Sequence, residues 1–297
     1  MKITITGSTG FVGANLHGYL KSFHELHSIS VRYQPNQNFD LTTDAIIHLA
    51  GKAHDLKKVS SPQDYYEANF ELTKQLFDSF LVSNASIFIF MSSVNAVADD
   101  VFGVLDENSI PNPKTHYGIS KFQAESYILN QQLPEGKRVY ILRLCMIHGP
   151  GNQGNLNLLY TIVKKGFPWP LGAFYNQRSF CSIDNLCFVI QQLLNRNDIP
   201  SGIYNVADDK PLSTNELIGL IPKSQNKLPK TLAIPKKLIF LLAKIGDVLH
   251  LPLNSERLQK LTSSYVVSNA KIKAAIGKPL TASSREGLLK TFKSFNN

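Results

Sequence analysis

Residues Thr6 to Gly13 read TGSTGFVG. They follow Met1 to Thr6, where KITIT is a short β-branched run that reads as a strand, and they open Phe11 to Lys21, which reads as a helix. The three glycines have separate uses. Gly7 permits a tight turn, Gly10 lets backbone approach a pyrophosphate, and Gly13 lets the helix pack close to the sheet. The helix start adds free N–H groups and the positive end of its dipole. Ser8, Thr9, Phe11 and Val12 complete a cradle suited to a dinucleotide.

Outward from this loop the rhythm continues. His27 to Arg32 reads as a second strand and Asp44 to Ala50 (DAIIHLA) as a third, apolar enough to be buried on both faces. Asp64 to Val82 has the helical spacing of Leu72, Leu76, Phe77 and Phe80. Ile87 to Met91 is a strand, His116 to Gln131 a helix and Val139 to Leu144 a strand. Strands alternating with helices predict an α/β fold with a doubly wound parallel sheet. Beyond Gly149 the rhythm breaks into short helices and prolines. The expected organisation is a nucleotide-binding domain over residues 1–151, with 182–206 returning to it, and a smaller lobe from 152–181 and 207–297.

Composition narrows the class. The chain has 297 residues, 43% hydrophobic and 18% charged, so a disordered polyelectrolyte is excluded and a sizeable core is possible. Three cysteines (Cys145, Cys181, Cys187) make no disulfide framework and show no metal-binding spacing, so no metal is expected and a reducing cytoplasm is the simplest location. The N-terminus lacks the order of a signal peptide, and the run Leu238 to Ala243 is far short of a membrane span. The net charge of +9 comes with no Arg-rich stripe interleaved with aromatics, which argues for a small anionic ligand rather than nucleic acid. Leu232 to Leu251 has apolar residues at helical spacing with Lys236, Lys237 and Lys244; packing of the smaller lobe is the simpler reading, a membrane-surface anchor the other.

Two further features carry chemistry. Arg32 stands where a dinucleotide's ribose is held, and no Asp or Glu lies between Ile29 and Asn38. A guanidinium there can bind a 2′-phosphate that a carboxylate would repel, so NADP(H) is favoured and NAD(H) remains possible. Second, YGISK places Tyr117 and Lys121 one turn apart on a helix face, and Ser93 lies just past the strand IFIFM. Carbonyl reduction needs a proton at oxygen. Bringing a phenol from about 10 to near 7 takes roughly 4 kcal/mol. An ammonium at about 4 Å supplies roughly that much at an effective dielectric near 20. The expected roles are Tyr117 as proton donor, Lys121 as its electrostatic partner and holder of the nicotinamide ribose, and Ser93 as hydrogen-bond partner of the substrate oxygen. Ser92, directly after the strand core, suits a cofactor-side role.

The glycine spacing with Ser93, Tyr117 and Lys121 resembles the extended short-chain dehydrogenases/reductases that act on nucleotide sugars (the NAD-dependent epimerase/dehydratase family), and the likeness runs through nearly the whole chain. It implies a Rossmann-like sheet with a C-terminal substrate-binding lobe. HLAGKAH (His48 to His54) resembles that branch's strand-end motif, which implies cofactor contacts at Leu49, Ala50 and Gly51 and a substrate contact at His54. Asn69 matches its helix asparagine, and Asp40 and Leu41 would lie beside the adenine, although Tyr33 to Asp44 is shorter than the family norm. LRLCMIHGPG (Leu142 to Gly151) resembles the segment entering the substrate lobe, with His148 where tyrosine is commoner. RSFCSIDNL resembles the motif whose Arg178 holds a nucleotide diphosphate, with Asn155 a second donor and Leu171 and Gly172 a wall for uracil; Asp184 is expected to cap a helix.

Within that family, 4,6-dehydratases carry Asp-Glu after the catalytic hydroxyl residue, whereas Val94 and Asn95 stand here, and Asn95 is expected to contact substrate. The resemblance thus leaves an NADPH-dependent reductase of a UDP-linked 4-keto-6-deoxy-N-acetylhexosamine in surface polysaccharide precursor synthesis, to which GPGNQGNLNLLYTIVKKGFPWPLGAFYNQRSF is most similar, and a UDP-hexose 4-epimerase with tightly bound NAD as the alternative. It also makes a homodimer possible by analogy.

Overall fold

The computed structural model describes residues 1–53, 61–152, 154–166, 168–249 and 254–295. Its strands are β1 (Lys2–Thr6), β2 (Glu25–Ile29), β3 (Ala45–His48), β4 (Ile87–Ser93), β5 (Val104–Leu105), β6 (Arg138–Leu144), β7 (Met146–His148), β8 (Phe180–Ser182), β9 (Gly202–Val206) and β10 (Val266–Val267). The helices are α1 (Phe11–Leu20), α2 (Pro62–Tyr66), α3 (Leu72–Val82), α4 (His116–Leu129), α5 (Asn155–Lys164), α6 (Ile183–Asn195), α7 (Thr214–Lys223), α8 (Lys236–Leu249), α9 (Ser255–Thr262), α10 (Ala270–Ile276) and α11 (Ser284–Ser294). A π-helical stretch, Glu67–Glu71, joins α2 to α3 without a break, which is why 64–82 reads as one helix in the sequence.

Six strands form one parallel sheet in the order β2-β1-β3-β4-β6-β9. Every residue of β4 is buried because helices cover both faces. On one face Ile3, Ile5, Ile89 and Leu142 pack with residues of α1, α6 and α10. On the other, Ile46, Phe88, Phe90 and Ile141 pack with Phe77 and Phe80 of α3 and Ile128 of α4. Phe77 meets Phe88 edge to face at 5.1 Å, and burying each such ring contributes roughly 2–3 kcal/mol. The fold is therefore α/β, Rossmann-like and doubly wound. The chain goes outward from β1 to β2, then returns to the other side of β1 as β3, so the winding reverses between β1 and β3. In such sheets the crevice beyond the carboxyl ends at this reversal is where ligands bind.

A second core lies away from the sheet. Leu156 and Tyr160 of α5, Trp169, Leu217 and Ile221 of α7, and Phe292 of α11 gather there. β10 and α10, from the same C-terminal stretch, pack elsewhere: Val267, Ile272 and Ile276 belong to the sheet's core. Asp208 ties the two regions together. Its carboxylate accepts from Ser182 N and Asn185 Nδ2 and faces His148 Nε2 at 3.4 Å, while His148 Nδ1 meets Thr291 of α11 at 2.9 Å. His148 is wholly buried in this hub. Asp184 does not cap α6, because Ser182 does, accepting from Asn185 N; Asp184 sits in the first turn and pairs with Lys290 at 2.7 Å.

Three sequence expectations need correcting here. β2 ends at Ile29, whose register partner is Thr6, because β1 offers no further hydrogen bonds beyond the glycine loop; Arg32 lies past the strand and is exposed. β4 runs through Ser92 and Ser93, which pair with Arg143 and Leu144, so both serines are on the strand rather than after it. Packing of the lobe accounts for little of α8, where only Ile239, Ala243 and Gly246 are buried. Among the described residues no helix is long and apolar enough to cross a membrane.

Candidate active site

The glycine loop sits at the β1/β3 reversal. Gly7 has φ +68°, and a Cβ there would lie 2.8 Å from Ala50 N, so loop and β3 end touch through backbone alone. A Cβ on Gly13 would fall 2.3 Å from Gly7 O, so only glycine lets α1 start this close to the turn. Gly10 caps α1 with no side-chain hydrogen bond, and the first turn holds no acid. The helix end and its N–H groups therefore face the loop uncapped by any side chain, which suits a pyrophosphate. The adjoining β3 end is braced from beneath. Thr73 Oγ1 donates to Asn69 O, so His48 Nε2 donates to Thr73, and Thr6 Oγ1 then donates to His48 Nδ1 at 2.8 Å while accepting from Ala50 N at 3.0 Å. Burial holds the His48 pKa down at about 3, with Lys121 adding to the effect, so this brace is neutral.

Helix α4 delivers Tyr117 and Lys121. Thr115 caps it, accepting from Gly118 N. A Cβ on Gly118 would lie 2.4 Å from Asn95 O, so glycine after Tyr117 lets α4 press against the turn that follows β4. That approach gives Tyr117 its hydrogen bond with Ser93, and Ser93 in turn accepts from Asn95 N at 3.2 Å. Lys121 is buried, its ammonium donating to Met91 O at 2.8 Å and lying 4.8 Å from the Phe90 ring. Its Nζ would stand 3.3 Å from a Cβ on Gly51, which puts it beside the β3 end. Ser93, Tyr117 and Lys121 thus converge at the sheet's carboxyl edge, next to the glycine cradle.

Desolvation raises the Tyr117 phenol above its ordinary value and outweighs the Ser93 hydrogen bond, which acts to lower it. The ammonium is turned to the Met91 carbonyl. Desolvation takes Lys121 down to about 8, with Glu125 opposing.

Glu125 and Arg143 were not found in the sequence, whereas Asn69 was. Glu125 is wholly buried against Arg143, whose Nε and Nη2 donate to it at 2.7 to 3.1 Å, and Ser92 Oγ donates to the same carboxylate. Two signals pointed to it: Arg143 interrupts the apolar strand VYILRL, and Glu125 follows Lys121 by one turn on α4. Asn69, buried in the π-helical stretch, accepts from Lys52 N and donates to Lys52 O and Ser120 Oγ, joining the loop after β3 to α4. A π-turn at such a junction has no sequence signature.

The remaining candidates are more dispersed. Leu49 and Ala50 are half-buried and Gly51 exposed at the β3 end. Asp40 is exposed, but Leu41 is buried with Ile46 and Leu72, so its side chain belongs to the core. Leu171 is likewise buried in the lobe core; it and Gly172 bond to the strand-like segment 231–233. Arg178 donates to the Lys260 carbonyl, and its backbone pairs with Leu212. Asn155 begins α5, its side chain outside the described residues, as is His54 altogether.

Comparison with known proteins gives the following. The family model described as "NAD dependent epimerase/dehydratase family" matches residues 3–207. A UDP-glucose 4-epimerase of Vibrio cholerae is 28% identical over 99% of this chain and 95% of its own length. A GDP-6-deoxy-D-mannose reductase of Pseudomonas aeruginosa is 27% identical over 74% of this chain and 79% of its own. Among solved structures, UDP-glucuronic acid 4-epimerase from Bacillus cereus in complex with NAD superposes with a TM-score of 0.74 at 20% identity, covering 100% of this chain and 99% of that one.

Proposed function

We propose, on the premise that this chain belongs to the NAD-dependent epimerase/dehydratase family, that it is an NADPH-dependent reductase of the 4-keto group of a UDP-linked 6-deoxy-N-acetylhexosamine. The observation that carries this reading is the convergence of Ser93, Tyr117 and Lys121 beside a cradle that admits no Cβ at Gly7 or Gly13.

The cradle fits a dinucleotide by its bare backbone. The N–H groups of residues 11–13 and the α1 dipole would hold the pyrophosphate, and the ends of β1 and β3 would flank it. When bound, the nicotinamide supplies hydride to the substrate carbon. Everything else falls to side chains of the chain. Ser93 donates a hydrogen bond to the carbonyl oxygen and steadies the alkoxide as it forms. Tyr117, held protonated by its raised pKa, gives that oxygen its proton. Lys121, with a pKa near 8, is mostly an ammonium at neutral pH and stabilises the phenolate left behind. Arg178 supplies a cation for the UDP diphosphate, with Asn155 at the start of α5. Arg32 favours NADPH and hence reduction, being exposed beyond β2 with no acid from residue 30 to 38 to repel a 2′-phosphate.

The second reading is a UDP-hexose 4-epimerase that keeps NAD bound, favoured by the near full-length similarity to the Vibrio cholerae enzyme. One assay separates the two. A reductase consumes NADPH when given a UDP-linked 4-keto sugar, and Arg32→Asp removes its preference for NADPH over NADH. An epimerase releases NAD on denaturation and interconverts UDP-hexoses without net cofactor turnover. In either case Tyr117→Phe should cut turnover about 10²- to 10⁴-fold; an active phenylalanine variant would rule out the assignment.

A further inference from the structure

Helix α8 is held to the lobe by a buried stripe, Ile239, Ala243 and Gly246, at positions i, i+4 and i+7, and by Phe240, which meets Phe174 edge to face at 5.7 Å. At roughly 100° per residue, an arc of about 120° on another side carries Leu238, Leu241, Leu242, Ile245, Val248 and Leu249. Each of these six is 42 to 75% exposed. Lys237 and Lys244 fall along one border of the arc. From Lys227 to Leu249 there are five lysines (227, 230, 236, 237 and 244) and one acid, Asp247, whose carboxylate is already engaged by the Ser255 backbone N–H and hydroxyl.

We propose that α8 is a membrane-surface helix that docks the lobe onto an anionic bilayer, its aliphatic arc in the acyl boundary and its lysines among the headgroups. Soluble chains rarely expose a contiguous apolar face of this kind without a partner. The charge decides which partner. A basic border beside an aliphatic face is complementary to anionic lipid. A second copy would bring the same lysines against themselves. The arc also holds no Trp, Tyr or Arg, the residues that anchor protein interfaces. The helix is only 14 residues long, about 21 Å, so it can lie in the interface but not cross it. Docking does not depend on which reaction the site performs.

The test is flotation of the intact protein with phosphatidylcholine vesicles, with and without phosphatidylglycerol, over a salt series. Wild type should float with the phosphatidylglycerol vesicles at low salt and leave them as salt rises. Leu241→Glu with Ile245→Glu should abolish flotation, and an unchanged thermal melt would show that these exposed positions are not needed for folding. Lys237→Ala with Lys244→Ala should weaken binding roughly 25-fold, about fivefold for each charge near an anionic surface. No flotation of wild type at the lowest salt, or equal flotation of the glutamate variant, would overturn the proposal. So would a dimer by light scattering that Leu241→Glu dissociates in the absence of vesicle binding, which would make the face an interface between copies.

Discussion

Replacing Lys121 by methionine tests the electrostatics of the site through stability rather than turnover. The side chain is buried, donates to Met91 O at 2.8 Å and has its pKa lowered from 10.5 to about 8 by desolvation. A depressed lysine penalises the folded state wherever the folded chain must hold the proton. Below about pH 8 both folded and unfolded chains are protonated and the full penalty stands. Between about 8 and 10.5 the unfolded chain holds a proton that the folded chain has released, so stability rises with pH. Above 10.5 both are neutral and the penalty is gone. Two and a half units at about 1.36 kcal/mol each make it roughly 3 kcal/mol. Losing the bond to Met91 O also costs methionine stability, but that loss is the same at every pH. Urea unfolding of both proteins from pH 7 to 10.5 should therefore show wild type gaining about 3 kcal/mol relative to Lys121→Met across the upper part of the range. For a chain of this length, with an unfolding entropy near 0.6 kcal/mol per kelvin, the gain equals about 5 °C in Tm. Curves that stay parallel to within about 0.5 kcal/mol would mean a solvated ammonium, and Lys121 could not then serve Tyr117 from within the sheet edge.

Two further outcomes follow from the same centre. Glu125→Gln leaves the Arg143 guanidinium buried without its counter-charge, at a cost of about 3–5 kcal/mol in chemical denaturation; because Glu125 holds the Lys121 pKa up, the alkaline limb of the activity profile should also move to lower pH. Gly13→Ala puts a methyl 2.3 Å from Gly7 O, and should abolish dinucleotide binding by calorimetry while destabilising the fold by about 1–3 kcal/mol.

Much of the site was legible because its motifs are local. TGSTGFVG names the cradle, since strand, turn and helix are contiguous and the glycines answer to backbone sterics alone. Tyr117 and Lys121 were legible because helical periodicity fixes their shared face. Arg32 was misplaced because SISVR has strand propensity to its end, yet β2 stops where β1 stops offering partners. The Glu125–Arg143 pair went unread because its members meet across a helix–sheet contact 18 residues apart, although a charge in an apolar strand was a warning. The aliphatic residues of α8 have helical spacing whether a lobe covers them or not; only the packing showed that three of its positions are buried.

By itself the sequence singled out candidate residues for the chemistry and the order in which strand, turn and helix follow, because propensity, glycine sterics and periodicity act over a few neighbours. Protonation states and strand ends were decided by the tertiary structure. The direction of the Tyr117 shift depends on how much water the assembled site excludes and on where the Lys121 ammonium finds its acceptor, and both are set by segments far apart in the chain.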